Sequence, residues 1–186
     1  MRDWTVEPEE CVHDFRWFQI LRKQVRSPDG TDGIFTFFAH PGSVFVVPVT
    51  AEGKFVLIRS FRFTTDSWTW EVPAGSMHDR VGMSPELVAK EELAEEAGMV
   101  AERLDLVAEL HLGNGYSRHR AQFFVAHNAT QIGPSSPDAL ERIERSQEFS
   151  IGELGHLIES GELSDGDSLL AIFLSYQRHT LTATGN

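Results

Sequence analysis

The segment 84–98 limits the fold more than any other. Ser84-Pro85 supplies an N-cap followed by proline at the first helical position, where a missing N–H costs nothing. Gly98 follows Ala97 as a residue free to take the left-handed conformation that closes a helix. Between these caps Ala89, Leu93 and Ala97 recur every four residues, with Leu87 and Ala94 widening the stripe. Around this helix the chain reads as β. Short apolar or alternating runs occupy 15–26, 34–39, 44–49, 54–61, 68–72, 104–112 and 121–127. His40-Pro41-Gly42 is expected to end one strand before the next begins. Segments 150–159 and 167–178 predict two closing helices, and 133–137 is a polar loop leading to a short acidic segment. Strands around one strongly capped helix make the expected class α+β, a mixed sheet covered by helices.

The central helix carries an unusual charge pattern. Glu92, Glu95 and Glu96 fall within roughly 100° of arc and are expected to crowd one exposed face, away from much of the apolar stripe. Glu92 and Glu96 form a like-charge i,i+4 pair, costing about 0.2–0.5 kcal/mol. Glu95 and Glu96 lie in the last turn, where the helix dipole is also negative. No lysine or arginine stands four residues beyond any of the three, and the favourable Glu86–Lys90 pair reads as ordinary surface. A divalent cation would turn this repulsion into attraction. Hard oxygen donors, with no cysteine or paired histidines nearby, point to Mg²⁺ or Mn²⁺. His111, His119 and His127 receive no chemical role.

Composition sets the outer limits. The 186 residues fit one domain, and 41% hydrophobic and 10% aromatic residues exclude disorder as the main state. Acids outnumber bases 28 to 16, which argues against nucleic-acid and anionic-membrane partners but not against a small phosphate ligand bridged by a metal. The lone Cys11 excludes an intrachain disulfide and suits a reducing, cytoplasmic setting. No secretory leader or span-length apolar run is expected.

Gly75 with Glu92-Leu93-Ala94-Glu95-Glu96-Ala97-Gly98-Met99 resembles the Nudix box, G-x5-E-x7-R-E-U-x-E-E-x-G-U with U apolar. Leu57-Ile58-Arg59-Ser60-Phe61-Arg62, then Trp70-Glu71-Val72-Pro73-Ala74-Gly75, is similar to the ADP-ribose pyrophosphatase branch, as is the tail 160–170. The resemblance implies a Nudix fold with an N-terminal arm and β-hairpin at 1–42, used in dimerisation, and a catalytic domain at 43–186. It implies metal-dependent hydrolysis of a nucleoside diphosphate linked to another moiety, most simply ADP-ribose or a related nucleotide sugar. Glu92, Glu95, Glu96 and the Ala74 carbonyl become the metal ligands, with Glu95 close to the chemistry. Glu141 is the expected general base, with Asp138, Glu144 and Glu148 as alternatives. Its bland reading is a surface pair with Arg145. Arg62, Glu71, Gly75 and Tyr116 become candidates for substrate contact, Arg62 toward a phosphate and Tyr116 by stacking. Phe35, Phe37 and Phe38, in one short run, are expected to face a second copy in a homodimer.

The sequence also departs from the family pattern. The box arginine is Glu91, the upstream glutamate is Met83, and seven residues rather than five separate Gly75 from that position. Asn114-Gly115-Tyr116-Ser117-Arg118-His119 lacks the acids of the corresponding family loop. These departures predict a slow hydrolase improved by Glu91→Arg. The alternative is a weakly catalytic domain that binds a nucleotide as a sensor.

Overall fold

The computed structural model describes residues 3–80 and 82–183. Its elements are β1 (Thr5–Val6), β2 (Glu10–Asp14), β3 (Gln19–Arg26), β4 (Asp32–Val49), β5 (Phe55–Arg62), β6 (Ser67–Glu71), β7 (Ala74–Ser76), α1 (Pro85–Ala97), β8 (Met99–Val100), β9 (Arg103–Leu112), β10 (Ser117–His127), β11 (Thr130–Gln131), β12 (Ile143–Phe149), α2 (Ile151–Ser160) and α3 (Gly166–Ala183). Among the described residues no helix is long and apolar enough to cross a membrane.

β4 is the spine of the sheet. It pairs parallel with β10 and antiparallel with β3, β7 and the start of β5. Its side chains alternate strictly between two cores. Phe45, Val47 and Val49 pack with Phe123, Val125 and the α2–α3 side, while Val44 and Val46 pack with Phe124 and the α1 side. That two-residue period makes a sheet buried on both faces, which explains why 44–49 is almost unbroken apolar sequence.

Three local expectations are corrected. His40-Pro41-Gly42 does not end a strand: β4 runs through it, and the register against β10 shifts between His119 and Ala121. A bulge there absorbs the proline and the positive φ of Gly42 (124°). One strand therefore carries the chain from the N-terminal hairpin into the main sheet. Second, the segment after the 133–137 loop contains β12, antiparallel to β5. Phe149 is its only buried residue, so it lacks the apolar alternation that would have marked it. Third, Val88 rather than Leu87 completes the apolar stripe of α1, and Leu87 is exposed.

Helix α1 begins and ends as the sequence predicts. The Ser84 hydroxyl accepts from the Leu87 N–H at 3.2 Å. Gly98 takes φ 66°, and a Cβ there would lie 2.3 Å from the Gly133 carbonyl oxygen. The left-handed turn and the close loop passage both require glycine. The loop in turn seals the helix end, because the Ser136 N–H donates to the Glu95 carbonyl at 2.7 Å.

Candidate active site

Strand β7 crosses the face of α1 that carries the glutamates. The Ala74 N–H donates to Glu96 Oε2 at 2.8 Å. At Gly75 the backbone lies so near Glu92 that an added Cβ would come within 2.1 Å of Oε1. Glycine is needed here for approach, not for its φ. Glu92 and Glu96 are consequently 6% and 3% exposed, so the expectation of an exposed acidic face is wrong for these two. Helical geometry accounts for it. Seven residues span about two turns, so Glu96 shares the buried azimuth of Ala89.

Burial raises the Glu92 carboxyl to about 7, opposed by Arg80 and aided by Glu95 and Glu141. Burial also raises Glu96 well above the ordinary carboxylate range, partly offset by the Ala74 N–H, with Glu141 and Glu92 adding repulsion. Glu141 is thus near enough to act on both. It is exposed, and its side chain accepts from the Asp138 N–H at 2.9 Å. The alternative role for Glu141, a surface pair with Arg145, is not what the structure shows: Arg145 pairs with Glu144 at 2.7 Å. Glu148 instead lies 3.6 Å from Lys54.

Beside this cluster is a cavity of about 440 Å³, lined in part by Arg62, Glu71, Ala74, Gly75, Asp165 and Asp167. Arg62 Nε donates to both Glu71 oxygens, at 2.9 and 2.8 Å, and Nη2 also donates to Oε2. Two of its three nitrogens are committed to a buried carboxylate rather than left free for a phosphate. Burial raises the Glu71 carboxyl, with Arg62 pulling the other way. Tyr116 is placed elsewhere. It is 71% exposed in the β9–β10 turn, against Gly113, and is not among the cavity-lining residues.

Two parts of the site escaped sequence reasoning. Asp165 and Asp167 line the cavity, and burial raises Asp167 with help from Asp165. Their visible signal was local: Asp165 accepts from the Ser168 N–H at 2.8 Å, an acidic start to α3. The other is Arg80. Its Nη1 donates to Glu91 at 3.1 Å, and its Nη2 lies 3.2 Å from Glu92 and 3.6 Å from Glu95. Nothing in helix periodicity could have found an arginine from the preceding loop. Among the described residues no three His, Cys, Asp or Glu side chains are gathered as a ready metal cage. The Arg80 guanidinium stands among the carboxylates instead. The donor chemistry nonetheless suits a hard divalent cation: buried carboxylate oxygens, one of them against the Gly75 backbone, with surplus negative charge.

The fold, the glycine within β7 and the acidic helix beneath it define one class. The NUDIX domain profile matches residues 39–169, and the chain belongs to that family. It is 27% identical over 164 residues to an ADP-ribose pyrophosphatase of Bacillus subtilis (strain 168), covering 88% of each chain. It is also 27% identical over 172 residues to an ADP-ribose pyrophosphatase of Mycobacterium tuberculosis (strain ATCC 25618 / H37Rv), covering 91% of this chain and 82% of that one. A solved structure described as an ADP compounds hydrolase superposes with a TM-score of 0.80 at 21% identity, covering 100% of this chain and 97% of that one.

Proposed function

We propose that this protein is a Nudix pyrophosphohydrolase that cleaves the diphosphate of ADP-ribose or a closely related nucleotide sugar. The observation that carries the reading is the placement of Glu92 and Glu96 beneath the Ala74–Gly75 backbone, at the edge of a cavity of about 440 Å³. Glu92, Glu95, Glu96 and the Ala74 carbonyl would hold a divalent cation, Mg²⁺ or Mn²⁺. When bound, that cation neutralises the diphosphate and lowers the pKa of water. Glu141, exposed on the loop before β12 and coupled to Glu92 and Glu96, takes the proton of the attacking water. Gly75 lets the β7 backbone close over Glu92, and its place in the cavity wall makes it a substrate contact. The Arg62–Glu71 pair fixes the cavity wall and presents its remaining polar groups to the ribose or base.

We further propose a cytoplasmic homodimer in which residues 1–42 supply the interface. Ile34 and Phe35 on β4 are 65% and 58% exposed and Trp4 is 61% exposed, an apolar surface that a second copy would cover. The test joins both readings. A panel of nucleoside diphosphate compounds is incubated with Mg²⁺ or Mn²⁺ and the products are separated, native protein against Glu96→Gln. ADP-ribose should yield AMP and ribose 5-phosphate, with at least a hundredfold loss in the variant, and scattering should give twice the 20.9 kDa chain mass. Tight binding of the panel without turnover would favour the sensor alternative.

A further inference from the structure

We propose that Arg80 is a resident counter-ion of the metal-binding carboxylates, which competes with the divalent cation for Glu92 and Glu95 and withdraws onto Glu91 when the cation binds. This rests on the metal reading given above.

Three observations carry it. The Arg80 side chain is 25% exposed, and its guanidinium is shared by Glu91, Glu92 and Glu95, with Asp79 at 3.9 Å. One Nη2 group faces both Glu92 and Glu95, the oxygens a hard cation would need. A guanidinium cannot lose its charge, so it can vacate those oxygens only by moving to another anion. Glu91 is that anion: it already accepts from Nη1, and it is 35% exposed, at the rim rather than under β7. The residue that departs most from the family box thereby acquires a use. An acid at position 91 and an arginine in the loop reverse the expected placement of charge while keeping a cation at the cluster. A divalent cation brings twice the charge and sits closer to carboxylate oxygen, at about 2.0–2.1 Å for Mg²⁺ against about 2.7–2.9 Å for a guanidinium hydrogen bond. It therefore wins the oxygens, at an affinity reduced by the competition.

The test is thermal unfolding of the full chain at pH 8.5, in EDTA and across a Mg²⁺ titration, for native protein, Arg80→Ala, Arg80→Lys and Glu91→Gln. In EDTA, Arg80→Ala should melt below native protein, because the carboxylates lose their counter-ion. Its half-maximal Mg²⁺ concentration should fall about three- to tenfold, and at saturating Mg²⁺ its Tm should recover to the native value. Arg80→Lys should stay near native. Glu91→Gln removes the seat and should shift the Mg²⁺ requirement upward. Equal destabilisation of Arg80→Ala with and without Mg²⁺ would make Arg80 a structural tether and overturn the proposal. So would a raised Mg²⁺ requirement in Arg80→Ala. If native protein shows no Mg²⁺ response and Glu92→Gln is indistinguishable from it, the metal reading itself fails, which is a separate result.

Discussion

Two arginines flank β7, and their surroundings differ in one respect. Arg62 meets one buried carboxylate, Glu71, and matches it one to one. Arg80 meets three glutamates, while Glu96 beside them is held by a backbone N–H. The first pair is electrically closed and adds shape to the cavity wall. The second cluster carries surplus negative charge in a place where burial makes that charge expensive. Such a surplus makes a site responsive to cations and protons. A closed pair contributes little beyond structure.

The largest expected effect tests that surplus through protons. In metal-free protein Glu92 ionises near 7 rather than near its ordinary 4.5, so between those values the folded state binds more protons than the unfolded state. Stability from this group is complete below 4.5 and is lost as pH rises through 7. Two histidines act in the opposite sense. Burial lowers His119 to about 4 and also lowers His40, so their contribution grows as pH rises toward 6.5. The native profile alone therefore mixes opposing slopes, and the informative quantity is its difference from Glu92→Gln, in which the histidines cancel. In EDTA the variant should gain about 3 kcal/mol on native protein between pH 4.5 and 8, measured by urea unfolding. Saturating Mg²⁺ should reverse the order at pH 8. A constant difference across pH would mean that Glu92 is not the strained carboxylate.

Breaking the closed pair should have a smaller and different signature. Arg62→Ala leaves Glu71 buried without its partner, and the expected loss is about 2–3 kcal/mol, at or below the bottom of the buried-pair range because Arg62 is 46% exposed. Calorimetric melts should show this loss equally with and without Mg²⁺. A loss that Mg²⁺ repairs would place Arg62 in the metal cluster rather than in the wall.

What the sequence made legible follows from the range of the interactions involved. Helix α1 was readable to within a residue because its caps are local: Ser84, Pro85 and Gly98 each act within one turn. The identity of Glu92, Glu95 and Glu96 as a unit came from spacing alone. Their burial did not, because it depends on β7 passing over the helix, a contact between residues about twenty positions apart. β12 was missed because an edge strand with one buried residue gives no apolar period. β4 was cut in two because Pro41-Gly42 normally ends strands, whereas here a bulge against β10 receives them. Arg80 was missed for the most instructive reason. A search for relief of the glutamates along the helix finds nothing, and the relieving cation comes from a loop.

That loop changes what should be expected at Glu91, the smallest of the effects. By family pattern alone, Glu91→Arg restores a missing cation and should improve the enzyme. With Arg80 already in place, the substitution removes its anchor and adds a second guanidinium to the same carboxylates. Native Arg80 with Glu91, Glu92 and Glu95 sums to −2, whereas the variant sums to zero from the same residues. The open cluster would become closed, like Arg62 with Glu71. Metal-free stability should rise by about 0.5 kcal/mol, within the range for partly exposed pairs. The Mg²⁺ concentration for half-maximal activity should rise severalfold. Adding Arg80→Glu to Glu91→Arg returns the sum to −2 with the charges exchanged in position. If charge balance governs the site, the double variant should recover a near-native Mg²⁺ requirement while the single variant does not. Improvement in the single variant would instead mean that position 91 acts through its own geometry, and that Arg80 is incidental to the metal.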